Sequence, residues 1–582
     1  MYWIISICLS LLALALFIRW LSKPLVIVDP EPATVTTGKY GWESPVFCAR
    51  GTFFIKPWLQ PGNAPGYDAS GLVSAELLWH TEGYPPRFHV EVRPASVGWT
   101  GDTPVLRFES SSHEIAVVGV PAQTQHKSIM TGLKPGLDYR YRVFANDQLV
   151  FESFFTARKA RGEPFRAVVF GDMGSGSPWQ AEIAYRISQP DGAPPAYDGE
   201  RRAPAFVPGK PRGADLMLCT GDIVYQHGRY AEYLSRFFPV YQTETPNPAV
   251  GAPLLDKIMI LPCVGNHDMA KYDPETLITF SEYPDLMAYF ALWSLPLNGP
   301  DGAHELGEND LIKEAAHKAK NRKHQRDQIY YREDGTPMSY QSPYPQIGQL
   351  VGANIPPMQG SESARAALIE AAAGRYPRMA NYSYDYGLAH FLFLDADTYM
   401  DWRNEELRDW VRKDLRAVPA GFWKVVVLHQ PPFTSNRKHQ REQGMRHMAD
   451  IFEQEGVSLV LCGHAHSYER SYPIKFRVAP PLDFGRRKGG YVGGSIEMDP
   501  HYDGETNTHP DGVIYVISGG GGAKLDSKDL HGHPELWQHF TRKLVGDRHS
   551  FSIIDFEEDK LVFRQIDISG VEVDRFVISA RK

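Results

Sequence analysis

Cysteine is scarce in this chain. Five residues, Cys8, Cys48, Cys219, Cys263 and Cys462, are scattered over 582 positions with no CxxC pair, which argues against a disulfide framework and a zinc knuckle. A basic surplus is also missing. The formal net charge is −8, the wrong sign for a general nucleic-acid binder, so no nucleic-acid partner is expected. Anionic substrates stay open, because bound metal ions invert the local field. The glycine-rich stretches GSGSPW from Gly174 and Gly519–Gly522 are not followed by Lys-Ser/Thr, so neither is a P-loop. We find no internal repeat. One long apolar run stands out, Tyr2 to Ile18, with Arg19 and Lys23 behind it. Its length approaches the roughly 20 residues of a spanning helix. It has neither a basic n-region nor a small-residue cleavage site, which favours an uncleaved anchor over a signal peptide. The two charges behind it pull the other way, toward a cytoplasmic placement of that side.

What is present is ordinary in bulk and specific in detail. Hydrophobic content of 43% and charged content of 22% are those of a folded globular protein, and the length calls for two or more domains. After the apolar segment 1–23, residues 24–50 hold Pro30, Pro32 and Gly-Lys-Tyr-Gly and read as a tether. From Gly51 to about residue 158 the text is all-β: VSAELLWHT, FHVEVRP, VLRFESS and EIAVVGV alternate between turn residues, the pattern of a small β-sandwich. Leu133-Lys-Pro-Gly followed by Tyr139 has the form of a tyrosine corner. From 164 to 582 the rhythm changes to an α/β one. AVVFGDMG, LMLCTGD, IMILPCVGNHD, HFLFLDAD, KVVVLHQPP and LVLCGHAH are continuous apolar runs, as expected of strands covered on both faces. Helices are expected over Asn404 to Val418 and Arg441 to Glu455.

Two insertions interrupt this part, 189–213 and 298–378. The longer one has a charged helical core expected from Asn309 to Arg332 and reads either as a cover over the site or as peripheral decoration. Its basic run Lys318 to Arg326 fits a solvated helix face. The sequon at Asn381 precedes a strand expected to be buried, so its glycosylation is not expected.

Each apolar run of the second part ends near Gly, Asp, Asn or His, and five of the six supply a set of candidate metal ligands. These are Asp172 with Gly174 in GDMG, Asp222 and Tyr225 in GDIVY, Asn266 and His267 in GNHD, His429 in VVVLH, and His464 and His466 in GHAH. Open α/β sheets gather their sites at the carboxyl ends of strands. Hard oxygen donors mixed with imidazoles are the donor set of adjacent divalent or trivalent ions. Each element alone says little; in order, each on a strand end, they point to a dinuclear site.

The order GD-x-G, GD-xx-Y, GNH-[DE], xx-H, GH-x-H resembles that of the calcineurin-like metallophosphoesterases, and Gly174 with Tyr225 is similar to the purple acid phosphatase branch. TGLKPGLDYRYRVFAND, IKPWLQPG and FESFFTARK likewise resemble the fibronectin type III-like N-terminal domain of that branch. The resemblance implies a β-sandwich followed by an αββα catalytic domain. It also implies one metal on Asp172, Asp222, Tyr225 and His466, and a second on Asp222, Asn266, His429 and His464. The first set implies Fe(III) with a coloured tyrosinate; the second implies a divalent ion, Zn, Mn or Fe. Metal-activated hydroxide would attack a phosphoryl group in line, with work at acidic pH expected. His267 and His439 are implied as catalytic, serving the phosphate or the leaving group.

The expected activity is acid phosphatase-type hydrolysis of phosphorylated small molecules or other organic phosphates; the alternative is a phosphodiesterase or nucleotide pyrophosphatase on the same site. A binding protein with a vestigial hydrolase would lack ligands, and all seven are present. The expected location is membrane-anchored with the catalytic part outside the cytoplasm, or secreted if the first segment is cleaved. Asp268 departs from the Glu more usual in this branch and leaves the ligands intact.

Overall fold

The computed structural model describes residues 47–48, 52–63, 66–82, 87–99, 104–115, 123–189, 214–225, 228–268, 288–300, 329–331, 337–339, 375, 377–397, 400, 402–479 and 492–580. The apolar segment 1–23, nearly all of the insertion 189–213, most of 298–378 and the run Lys318 to Arg326 lie outside them. Among the described residues no helix is long and apolar enough to cross a membrane.

Residues 47–156 form eight strands in the order Phe47–Cys48, Gln148–Thr156, Asp138–Ala145, Phe88–Pro94, Leu106–Ile115, Gln123–Leu133, Val73–Glu82, Ile55–Gln60. The strand Leu106–Ile115 passes from one face to the other. Its first half pairs with His89–Val92 and its second half with Gln123–Ser128. Trp79 on one side packs edge-on against Phe88 on the other at 5.4 Å, with Val90, Tyr141 and Phe151 also fully buried. The Tyr139 hydroxyl accepts the Lys134 N–H at 2.8 Å, so the corner forms where the sequence placed it. Two details differ from the sequence reading. Glu114 and Ile115 finish a strand rather than start one. The strand Gln123–Leu133 has no apolar alternation to betray it, because Gln123, Gln125, His126 and Ser128 are buried polar residues.

Among the described residues the rest of the chain builds two large sheets and two two-stranded pairs. Six strands run Met259–Pro262, Leu216–Cys219, Phe165–Phe170, Ser550–Phe556, Lys560–Asp567, Glu572–Ser579; seven run Tyr382–Tyr386, Ala389–Leu394, Trp423–Leu428, Leu459–Cys462, Ile514–Ser518, Tyr468–Ser471, Thr541–Val545. The first three strands of the six are parallel, as are Ala389–Leu394 through Ile514–Ser518 in the seven. Phe165 of one sheet meets Phe391 of the other at 6.2 Å, so the near-uniform burial of these strands follows from their being covered on both faces. Cys219, Cys263 and Cys462 sit buried and unpaired at strand ends, acting as small apolar groups.

The helix Glu405–Ala417 is capped by Asn404, whose side chain accepts from Glu406 and Leu407 N–H, with Glu405 and Glu406 in the first turn. Expected helix 441–455 is shorter than its pattern: the α-helix is Ala449–Gln454, preceded by a 3₁₀ segment Gly444–Met448. Gly444 favours no helix and breaks the run. In the long insertion, Ile329–Tyr331 pairs antiparallel with Pro337–Ser339, correcting the helix expected to Arg332. Isoleucine and tyrosine favour the pleated conformation. Asn381 is fully buried and its side chain accepts the Asp395 N–H, so the sequon is structural.

The sandwich is docked on the α/β part. Tyr141 donates its hydroxyl to Asp256 O at 2.9 Å, Ser153 donates to the Asp256 carboxylate at 2.7 Å, and Trp58 packs on Phe238 at 5.1 Å.

Candidate metal centre

The carboxyl ends of the parallel strands of both sheets meet at one place. Asp172 follows Phe165–Phe170, Asp222 follows Leu216–Cys219, Asn266 follows Met259–Pro262, His429 follows Trp423–Leu428, and His464 follows Leu459–Cys462. The turns are tight. Asp172, Asp222 and His464 have φ of 56°, 52° and 71°, a left-handed conformation that costs a non-glycine residue about 1–3 kcal/mol and is found at functional sites. The loops hold one another: Asp172 N–H donates to Gly221 O, Met173 N–H to Asp222 O, and His464 N–H to the Asp172 carboxylate. Close approach needs glycine in two of them. A Cβ on Gly174 would lie 1.9 Å from Ile223 O, and one on Gly265 would lie 2.3 Å from Asp222 N.

Two groups of donors result. In the first, the Tyr225 hydroxyl lies 3.2 Å from Asp172 Oδ1 and 3.1 Å from His466 Nε2, which is itself 3.4 Å from Asp172 Oδ1. In the second, His429 Nε2 lies 3.2 Å from Asp222 Oδ1, 3.2 Å from Asn266 Oδ1 and 3.1 Å from His464 Nδ1. The outer nitrogens of these imidazoles are committed. His429 Nδ1 is 2.7 Å from Thr220 O, His466 Nδ1 is 2.8 Å from Lys524 O, and His464 Nε2 is bonded to the Glu442 carboxylate. Each outer nitrogen therefore donates to an oxygen, and each inner nitrogen presents a lone pair to its neighbours. Inner nitrogens that face carboxylates and an amide oxygen this closely call for a positive charge between them, a proton or a metal ion. Such outer-shell fixing of imidazoles is the usual support of metal-binding histidines. The chemistry of this donor set fits metal binding.

The electrostatics of the cluster point to the same need for positive charge. Burial opposes charge on His429 and His466, yet Asp222 and Asp172 respectively raise them to about 10 and about 9. His464 goes the other way, to about 4, because burial outweighs its Glu442 partner. Burial, then Asp222 and Asp172, push the Tyr225 phenol well above its ordinary value.

His267 stands beside this cluster, its ring 4.5 Å from that of Tyr225 and its backbone N–H donated to Asp222 Oδ1. His439 lies over His464 at 3.9 Å between ring centroids. Its Nδ1 is 3.4 Å from Glu442 and its Nε2 3.5 Å from Asp526. Burial disfavours its charged form, but the two carboxylates prevail and its pKa is raised. Both catalytic candidates thus reach the site that the seven ligand candidates form.

Residues 165–468, just over half of the chain, match the calcineurin-like phosphoesterase family. The chain belongs to that family. Among curated relatives of this chain, purple acid phosphatase 23 of Arabidopsis thaliana is 37% identical over 94 residues, 15% of this chain and 20% of that protein. The probable inactive purple acid phosphatase 9 of the same plant is 23% identical over 350 residues, 59% of this chain and 42% of that protein. The matched part of this chain thus spans less than half the length of these relatives. The solved structure of the purple acid phosphatase PPD1 from yellow lupin seeds shares the fold, with a TM-score of 0.52 at 16% identity over 90% of this chain and 74% of that one.

Sequence reasoning missed the residues that hold the ligands in place. Glu442, Asp526, the carbonyls of Thr220 and Lys524, and Asp268 belong to this group. Asp268 is fully buried and accepts from Ile223 N–H at 2.7 Å and Gly265 N–H at 2.9 Å, tying the Asp222 and Asn266 loops together. An acidic residue beside a ligand motif was the available signal for Asp268; no signal marked the others.

Proposed function

We propose that this phosphoesterase hydrolyses phosphate esters at a dinuclear metal centre, in the manner of an acid phosphatase. Asp172, Asp222, Tyr225 and His466 would hold one ion, and Asp222, Asn266, His429 and His464 the other. The observation that carries this reading is the commitment of every outer imidazole nitrogen, which leaves the inner ones aimed into a cluster of oxygen acceptors. Two carboxylates and a tyrosine make the first set hard and suit Fe(III); the second set suits Zn, Mn or Fe(II). When bound, such a pair supplies Lewis-acid chemistry, acidifying coordinated water and neutralising phosphoryl oxygens.

The chain's own residues do the rest. Asp172, Asp222 and His464 are pinned in left-handed turns, so the donor set is preorganised. His267, partly exposed beside Tyr225, hydrogen-bonds the phosphoryl oxygens. His439, its charged form favoured by Glu442 and Asp526, gives its proton to the leaving oxygen. The substrates we assign are phosphorylated small molecules. We also read the segment 1–23 as a membrane anchor, with the catalytic part outside the cytoplasm; a C-terminal reporter active only in the cytoplasm would overturn that placement.

The test is turnover of p-nitrophenyl phosphate against bis-p-nitrophenyl phosphate by the purified chain, with Asp222→Asn as the control. Metal-dependent turnover of the monoester, lost in the variant, supports the proposal. Preference for the diester shifts it to a phosphodiesterase on the same centre, and turnover that survives both chelation and Asp222→Asn refutes it.

A further inference from the structure

A second cluster of charged side chains lies at the opposite end of the seven-stranded sheet. Between the sandwich and the seven-stranded sheet is a cavity of about 490 Å³, lined by Tyr67, Arg158, Arg161, Tyr384 and His390 among others. His390 stands at the amino-terminal end of the strand Ala389–Leu394, whereas the metal-site residues sit beyond the carboxyl ends of the parallel strands. Six residues at about 3.3 Å each put the two sites roughly 20 Å apart.

The charges in this cavity do not cancel. Asp385 accepts from His390 Nδ1 at 2.7 Å and pairs with Arg161 at 3.2 Å; Asp414 accepts from His390 Nε2 at 2.8 Å and from Ser383 at 2.7 Å. Each carboxylate therefore has its contact partners in groups other than Arg158. Arg158 is only 6% exposed, its Nε has no hydrogen-bond partner, and among the described residues no carboxylate lies within ion-pair distance of it. Asp385 feels the Arg158 charge at longer range, but it is already held in contact by His390 and Arg161, so three cationic side chains face two carboxylates, and a buried charge so under-compensated is costly.

The surrounding residues hold this guanidinium in position. It lies over the rings of Tyr384 and Tyr67, at 3.9 and 4.5 Å from their centroids. Tyr67 is fixed by donating its hydroxyl to Lys159 O at 2.6 Å. Gly66 leaves the room, since a Cβ there would stand 2.1 Å from Arg158 Nη1. Arg161, half-exposed over the other part of the Tyr67 ring at 5.0 Å, brings a second guanidinium to the mouth. A planar fork held between two rings beside a second arginine is a geometry that grips oxyanions in two-point fashion.

We infer that this cavity is a binding site for a small oxyanion, a phosphate or a carboxylate, separate from the metal centre. Arg158 is its principal anchor and Arg161 its second contact. The site needs no metal, so its fate is separable from that of the proposed catalytic centre.

The experiment is calorimetric titration of the full chain, after chelation of metals, with inorganic phosphate and, separately, with succinate. One binding event per chain for either anion is expected, abolished in Arg158→Met and weakened about 10-fold in Arg161→Ala, as for loss of one charge-assisted contact. Phosphate alone binding assigns a phosphoryl ligand, and succinate alone a carboxylate one. Arg161→Ala removes an exposed side chain and settles the matter if Arg158→Met does not fold. No binding of either anion at 10-millimolar order, or binding unchanged in Arg161→Ala and Arg158→Met, overturns the inference.

Discussion

Replacing Glu442 tests whether the histidines are held for a metal. Glu442 is not among the expected ligands, yet its carboxylate takes the outer proton of His464 and so turns the Nδ1 lone pair toward His429. In Glu442→Leu that acceptor disappears. A hydrogen bond to a charged group is worth about 1.5–3 kcal/mol. Loss of an outer-shell partner lowers metal affinity about 10–100-fold, or ~1.4–2.8 kcal/mol at 1.4 kcal/mol per decade. The two estimates agree, so we expect Glu442→Leu to release the metal of the His429–His464 set at a 10–100-fold lower chelator concentration than the parent. Glu442→Gln keeps an acceptor but loses the charge and should fall between. The assay is metal content after dialysis against graded chelator. His439 also lies near Glu442, so His439→Asn serves as the control: it should lower turnover while leaving metal retention unchanged. Equal retention in Glu442→Leu and the parent would refute the reasoning.

Other outcomes follow from the same structure. Gly265→Ala would drive a methyl group to within 2.4 Å of Asp222 Oδ1; a shift of about 1 Å at a reacting centre costs on the order of 100-fold, so turnover should fall at least that much. Gly444→Ala, with nothing near its added Cβ, should leave turnover unchanged, and similar rates for both variants would sink the argument. His390 is buried, and although burial disfavours its charge, Asp385 and Asp414 raise its pKa to about 9 from 6.5. A raised folded pKa stabilises fully below the unfolded value and is lost as pH climbs through the folded one. The gap in thermal midpoint between the parent and His390→Gln should therefore be largest at pH 6 and shrink by pH 10, from an upper bound of about 3 kcal/mol at 1.36 kcal/mol per unit. A gap that does not change with pH would show that the charge of His390 is not what stabilises the fold.

The legible part of the fold was the part written locally. Continuous apolar runs ending in Asp, Asn or His marked buried strands and their carboxyl ends, because both signals sit within a few consecutive residues. Asn404 followed by two glutamates gave the start of the helix Glu405–Ala417 for the same reason. The strand Gln123–Leu133 stayed hidden because its inward residues are polar and satisfied across the chain, as with His80 and Gln123. Glu442 and Asp526 stayed hidden because their partners lie 22 and 60 residues away, on other loops. Arg158 carries no motif either; its significance appears only when the carboxylates around it are seen to have their contact partners in other groups.

Metal analysis with a visible spectrum on the purified chain tests the central claim most directly. The account predicts about two metal ions per chain, as in two-metal sites generally, with iron as one of them and a broad visible band that disappears in Tyr225→Phe. Substoichiometric metal in active protein would contradict the dinuclear centre; two divalent ions without colour would contradict the Fe(III)–tyrosinate assignment.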